Sequence, residues 1–380
     1  MKKLISIMIA IMLLSALPCA ASPYPEDSLK KASAAILIDV ASGKTIIEKN
    51  ADESIDPAGL VRLPALLLIC RAFDEGSIKE DDTVTVSREA AAIKGATAFL
   101  SPNESISAGQ LLKASVILNA GDAVCALMQK LYPSTAAGLE AVNEMLGALN
   151  CGAFAESYMG KGETLSVKEL ANICSKLADS ESFLKYSSVY TDSITHESAA
   201  ATELVNPNRL VRFYSGCFGI ATGSVGSSNY CGAFIARRGT TTLLAVTAGL
   251  PDSASRFKLA SELLDHGFAS YRSVSLGGAG ESIGSIAVIN GKTKEVELIT
   301  GSAVAALMPV TNTKLLSETV LPESVEAPIE KDQRIGTLIL KNGSGEVLGE
   351  VPILSAEAVE KAVFKDYLMD LMRSWLRISR

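Results

Sequence analysis

The sequence predicts an α/β domain, an antiparallel sheet with a helical region, followed by a small all-β domain and a C-terminal amphipathic helix. Three observations carry this expectation. Strand-like segments with tight turns stand early, at 34–48, and late, at 219–248, with helical spacing between them, which is how a sheet closed by sequence-distant strands reads. After Phe268 the composition shifts to short alternating segments joined by Gly and Asn turns. Residues 355–380 then return to helical periodicity.

Taken in order, Lys2 and Lys3 precede an apolar run from Leu4 to Leu17, and Pro18-Cys19-Ala20-Ala21-Ser22 follows. Charged, apolar and small residues in that order form a secretory leader, with cleavage expected after Ala21. As a helix the run spans about 21 Å, short of the roughly 30 Å hydrocarbon core, so a permanent span is the weaker reading. Leu17-Pro18 before Cys19 disfavours lipid attachment there. The domain expected at 22–270 opens with Ala34 to Asp39, a Ser42-Gly43-Lys44 turn and Thr45 to Glu48 as a hairpin. Helices are expected at Pro64 to Phe73, Ala108 to Leu131, Gly138 to Leu149 and Val167 to Leu184. Strands follow at Gly219 to Gly223, Tyr230 to Arg237 and Thr240 to Ala248, then a helix from Ser255 to His266.

The β domain, expected at 271–354, shows segments at Ser285 to Ile289, Glu295 to Thr300, Ala303 to Pro309, Lys314 to Val320, Arg334 to Lys341 and Glu346 to Ile353. The closing helix, 355–380, places Val359, Val363, Tyr367, Leu371 and Trp375 on one stripe, and Arg373, Arg377 and Arg380 near its end. An apolar stripe with Trp and unopposed arginines suits a helix lying in a membrane interface. The other reading is a helix docked on its own domain.

Composition narrows the function. The chain has 35 Lys+Arg against 42 Asp+Glu, a formal charge of -7, which leaves no basic excess for a generic nucleic-acid binder. His196 and His266 are the only histidines, so a multi-histidine metal centre is excluded, and no metal or cofactor is expected. Six cysteines remain after the leader, and their apolar helical settings favour buried free thiols over disulfides.

The leader, the opening hairpin, Asp56-Pro57-Ala58, Asp81-Asp82-Thr83-Val84-Thr85-Val86-Ser87, Gly121-Asp122-Ala123, Asn206-Pro207-Asn208-Arg209-Leu210, Thr222-Gly223 and Leu264-Asp265-His266-Gly267-Phe268 share an order and spacing. In that order they resemble D-alanyl-D-alanine carboxypeptidases, the low-molecular-weight penicillin-binding proteins. The resemblance covers the whole mature chain. It implies a β-lactamase/transpeptidase-like domain, the small β domain, and serine chemistry on peptidoglycan stem peptides.

That chemistry rests on three motifs: Ser-x-x-Lys for nucleophile and base, Ser-x-Asn for proton relay and peptide binding, and Lys-Thr-Gly for the substrate carboxylate. The matching positions here read Gly59-Leu60-Val61-Arg62, Asn119-Ala120-Gly121 and Ala221-Thr222-Gly223. Glycine offers no nucleophile, and arginine stays protonated at any working pH. Loss of nucleophile and base together costs on the order of 10⁶ in turnover. Gly59, Arg62, Asn119, Gly121 and Ala221 therefore mark a catalytic site with no intact catalytic residue. Thr222, Gly223 and Arg62 are the candidates for holding a peptide.

Arg62 has two readings, an anion ligand or a filler of the space left by Gly59. Asp122 is expected to cap or brace its helix, and His196 and His266 to pack or face solvent. The bare Ser-x-x-Lys matches at Ser28, Ser182 and Ser255 read as solvated surface pairs. The expected function is an exported, catalytically silent homologue on the outer face of the cytoplasmic membrane or in the cell envelope. It would bind a peptidoglycan stem peptide or a protein partner. An enzyme with relocated residues and a purely structural membrane-surface adaptor remain as alternatives.

Overall fold

The computed structural model describes residues 23–160, 162–197, 200–311 and 314–375. The leader expected at 1–21 lies outside the described residues, as do Arg377 and Arg380. The chain divides into two compact units. The first holds 45–237 and 243–270 together with the chain up to Ile38, and the second holds Asp39–Lys44, Arg238–Thr242 and everything from Tyr271 onward.

In the first unit, β1 (Ala34–Asp39) is buried throughout and pairs antiparallel with β2 (Thr45–Lys49). The Asp39 carboxylate fixes the intervening turn by accepting from the Ser42 amide at 3.0 Å and hydroxyl at 2.6 Å. Two small ladders follow, β3 (Thr83–Thr85) with β4 (Ser105–Ser107) and β5 (Thr191–Ile194) with β6 (Thr202–Val205). Then come β7 (Cys217–Val225), β8 (Asn229–Arg238) and β9 (Thr241–Leu250). The main sheet has the order β2-β1-β9-β8-β7, so its first and last strands in sequence meet in the middle and β7 forms an edge. The Ser253–Ser270 helix covers it, with Leu259, Leu263 and Leu264 packed against Leu37, Phe234 and Leu243. Burying each such side chain contributes about 1.5–3 kcal/mol.

Two helices expected as continuous are broken. Residues 108–131 form Ala108–Leu118 and Gly121–Leu131, because Asn119 adopts the left-handed conformation with φ 52°. Asparagine tolerates that conformation better than other non-glycine residues, and periodicity does not register it, since the apolar spacing runs on across the break. Residues 167–184 likewise divide into Val167–Leu177 and a helix from Glu181 to Ser187, where the Ser180 hydroxyl accepts from the Phe183 amide at 3.2 Å.

The second unit is all-β apart from its last element. Its strands are β10 (Tyr271–Gly277), β11 (Ser282–Ile289), β12 (Glu295–Thr300), β13 (Val304–Pro309), β14 (Leu315–Val320), β15 (Ser324–Glu326), β16 (Arg334–Asn342) and β17 (Val347–Ser355). Six of them form a sheet in the order β14-β16-β17-β12-β11-β15, and β10 pairs with β13. The tail differs from the expectation of a helix from Ser355. Ser355 ends β17, Val359 is bridged to Ile329 and buried in the β core, and the helix runs Phe364–Trp375. Val359 fits the helical stripe numerically, yet tertiary pairing claims it for the sheet.

All six cysteines of the described residues are free, five buried and Cys151 half-buried, as their apolar settings implied. Ser28 is buried rather than solvated. Lys185 pairs with Glu80 and Lys258 with Glu262 at the surface, as solvated pairs.

Candidate functional site

The first element of the site is a 3₁₀ turn, Ala58–Arg62, leading into the Leu63–Asp74 helix. The Asp56 carboxylate accepts from the Ala58 amide at 2.9 Å, and Ala58 has φ 52°. Pro64 sits in the first helical turn, where a missing N–H costs nothing. With three residues per turn, a 3₁₀ segment stacks residue 62 beneath residue 59. Arg62 consequently turns back under Gly59.

The second element is the break at Asn119. Arg62 Nη2 donates to the Asn119 carbonyl at 2.9 Å, and Asn119 Nδ2 donates to the Gly59 carbonyl at 2.7 Å. These two bonds clasp the 3₁₀ turn to the helix junction. Arg62 is 9% exposed and Asn119 2%. A Cβ at residue 59 would stand 3.3 Å from Arg62 Nη2, and one at residue 121 would stand 3.5 Å from Arg62 Nη1. The guanidinium thus occupies the space between the two positions that would carry a serine hydroxyl and an asparagine amide. Of the two readings of Arg62, the geometry matches the filler.

Burial lowers the Arg62 pKa, and the negative charge of Asp122 opposes that shift. Asp122, 1% exposed, accepts from the amides of Ala98 at 2.9 Å, Leu100 at 3.2 Å and Ala123 at 2.9 Å. It braces the 96–100 loop onto the start of the Gly121–Leu131 helix, and the Gly121 amide donates to the Ala96 carbonyl at 2.8 Å. Arg62 Nε and Asn119 Oδ1 are buried without a hydrogen-bond partner.

The third element is β7. Ala221 is opposite Ala233, Thr222 opposite Gly232 and Gly223 opposite Cys231 on β8. A Cβ on Gly223 would come within 2.5 Å of the Gly59 nitrogen, so this glycine is what lets the 3₁₀ turn lie against the strand. The three sequence motifs do converge: Arg62 and Asn119 are bonded around Gly59, Gly121 lies against Arg62, and Gly223 lies against Gly59. Neither histidine belongs to the group. His196 is held between Glu104 Oε1 at 2.7 Å and Thr202 Oγ1 at 2.8 Å, and His266 stacks edge-on against Tyr24.

Sequence reasoning missed Arg256. Its Nη1 donates to the carbonyls of Gly223 at 3.0 Å and Cys231 at 3.2 Å, and its guanidinium lies over Phe257 and Tyr230. Burial brings its pKa down to about 10, which keeps it cationic at neutral pH. No local motif marks it, because its partners are carbonyls of remote strands. In the 96–100 loop that Asp122 braces, Phe99 is 76% exposed. Among the described residues no cluster of His, Cys, Asp and Glu is arranged to hold a metal ion.

The family model described as D-alanyl-D-alanine carboxypeptidase matches residues 21–251, and that of the penicillin-binding protein 5 C-terminal domain matches residues 271–361. The D-alanyl-D-alanine carboxypeptidase DacF of Bacillus subtilis is 30% identical over 388 residues, spanning 99% of this chain and 100% of that protein. DacC of Escherichia coli is 27% identical and covers 90% of this chain and 89% of its own. Penicillin binding protein 5 from Haemophilus influenzae superposes with a TM-score of 0.74 at 20% identity, over 87% of this chain and 98% of that one, which gives the same fold. With one relative matched from end to end, and three motif positions brought together around altered side chains, this chain belongs to the D-alanyl-D-alanine carboxypeptidase family.

Proposed function

We propose that this protein is a catalytically silent member of its family that binds peptidoglycan stem peptides outside the cytoplasm. One observation carries the reading: the Arg62 guanidinium fills the space beneath Gly59 and Gly121 and is tied to Asn119, so nucleophile, base and relay are replaced by a structural clasp. The strand beside it keeps what binding requires. As the sheet's edge, β7 has a neighbouring strand on one side only, and an extended peptide pairing along its other side would run past Thr222. Arg256 beneath Gly223 supplies a cation in a region where Ala221 has none.

The leader supports export. Exposed Val363, Phe364, Tyr367, Leu368 and Met369 on and beside the last helix support attachment to a membrane surface. No helix among the described residues is long and apolar enough to cross a membrane.

Two measurements test the reading. A fluorescent penicillin, trapped only as an ester of a nucleophilic serine, is expected to leave no adduct after denaturation. A labelled adduct would overturn catalytic silence and favour a relocated nucleophile. Titration with a peptide ending in D-Ala-D-Ala is expected to show saturable binding, whereas its absence would favour the adaptor reading.

A further inference from the structure

We propose that Phe99 is a ligand-contact residue, an aromatic wall beside the Arg62 clasp against which a methyl or aliphatic side chain of the bound peptide packs. The inference rests on the peptide-binding reading and names a residue that neither the motifs nor that reading assigns.

Phe99 combines two uncommon features. Its φ is 60°, a left-handed backbone that a bulky side chain seldom adopts, and its side chain is exposed to 76%. A strained residue persists only where its surroundings over-determine it, and such residues gather at ligand clamps. Here the restraint is visible. One buried carboxylate, Asp122, accepts from the amides on both sides of Phe99, those of Ala98 and Leu100. Ala98 and Leu100 are buried, so the loop is anchored on either flank while Phe99 alone stands out.

The anchoring also fixes where the loop stands. Asp122 follows Gly121 in the chain, the Gly121 amide holds the Ala96 carbonyl, and Ile93 Cγ2 would lie 2.8 Å from a Cβ on Gly121. The loop that displays Phe99 is therefore hydrogen-bonded to Gly121, where a Cβ would stand 3.5 Å from Arg62 Nη1. A phenyl ring has no polar handle, and the loop around it is Ala96-Thr97-Ala98 and Leu100. The matching ligand group is apolar, such as the methyl of an alanyl residue, and burying it against the ring removes both from water.

The test is fluorescence anisotropy of a labelled peptide ending in D-Ala-D-Ala, titrated with the full mature chain and with Phe99→Ala and Phe99→Gly, alongside thermal melts. Phe99→Ala is expected to weaken binding about tenfold, since the ring is an exposed contact with no packing role of its own. Phe99→Gly is expected to weaken binding equally while melting no lower than the parent, because glycine adopts the left-handed conformation freely. Unchanged affinity in Phe99→Ala, with the parent binding, overturns this inference alone. A lowered melting temperature in Phe99→Gly overturns it too, by showing that the ring braces the fold. Failure of the parent chain to bind the peptide overturns the inference together with the reading beneath it.

Discussion

Arg62 is a buried cation whose partners are a carbonyl and the more distant charge of Asp122, so removing it leaves both a void and an orphaned acceptor. Arg62→Ala is expected to lower stability by about 2–4 kcal/mol in denaturant unfolding. Arg62→Met, which keeps the volume, should cost less than half as much. The thiols respond to the same burial in the opposite sense. Desolvation pushes Cys125, Cys217 and Cys231 up to about 11, and it raises Cys70 and Cys174 further. The thiolate is the nucleophile, so the native chain should resist iodoacetamide at neutral pH and react faster as pH climbs toward 11, as intact mass would record. Half-buried Cys151, also raised to about 11, is expected to be modified first on grounds of access.

Elements show where the sequence was readable and where it was not. The β1–β2 hairpin, the edge strand β7 and the covering helix were legible, since turn residues and apolar period both point the same way. The break at Asn119 was not, because a single left-handed residue leaves no trace in periodicity. The residues that meet in the clasp, Gly59, Arg62 and Asn119, could be singled out in the sequence. The clasp itself could not, since it runs through main-chain carbonyls that carry no sequence signature. The tail was half legible: Phe364–Trp375 is a helix, but 355–363 belong to the β domain through Val359 and the Ser355 hydroxyl, which donates to the Glu330 carbonyl at 2.6 Å. A chain ending at Val363 is therefore expected to lose sedimentation with vesicles while keeping its melting temperature. One ending at Leu354 should lose both, having given up part of its core. If the chain ending at Val363 still sediments with vesicles, the helix is not the attachment.

For the whole molecule, the proposed catalytic silence is tested by rebuilding the family's motifs. Gly59→Ser, Arg62→Lys, Asn119→Ser, Gly121→Asn and Ala221→Lys together return every motif side chain. A Cβ at residue 121, however, would lie 2.8 Å from Ile93 Cγ2, closer than real Cβ atoms approach. The five-site variant is expected to be overpacked by roughly 1–3 kcal/mol and to take little penicillin label. Adding Ile93→Ala should recover the melting temperature and raise labelling. Labelling by Gly59→Ser alone would show that Arg62 does not block the site. A different consequence follows from how the second unit is assembled. Besides Tyr271 onward it owns Asp39–Lys44 and Arg238–Thr242, and Ser273 is fastened to all of this: its hydroxyl donates to Asp39, its amide to Thr241 Oγ1 at 2.8 Å, and its carbonyl accepts from Thr240 Oγ1 at 2.9 Å. During synthesis those two turns leave the ribosome long before the strands they serve. The β domain is thus no portable cassette: cut free at residue 271 and fused elsewhere, it would arrive without two of its own turns.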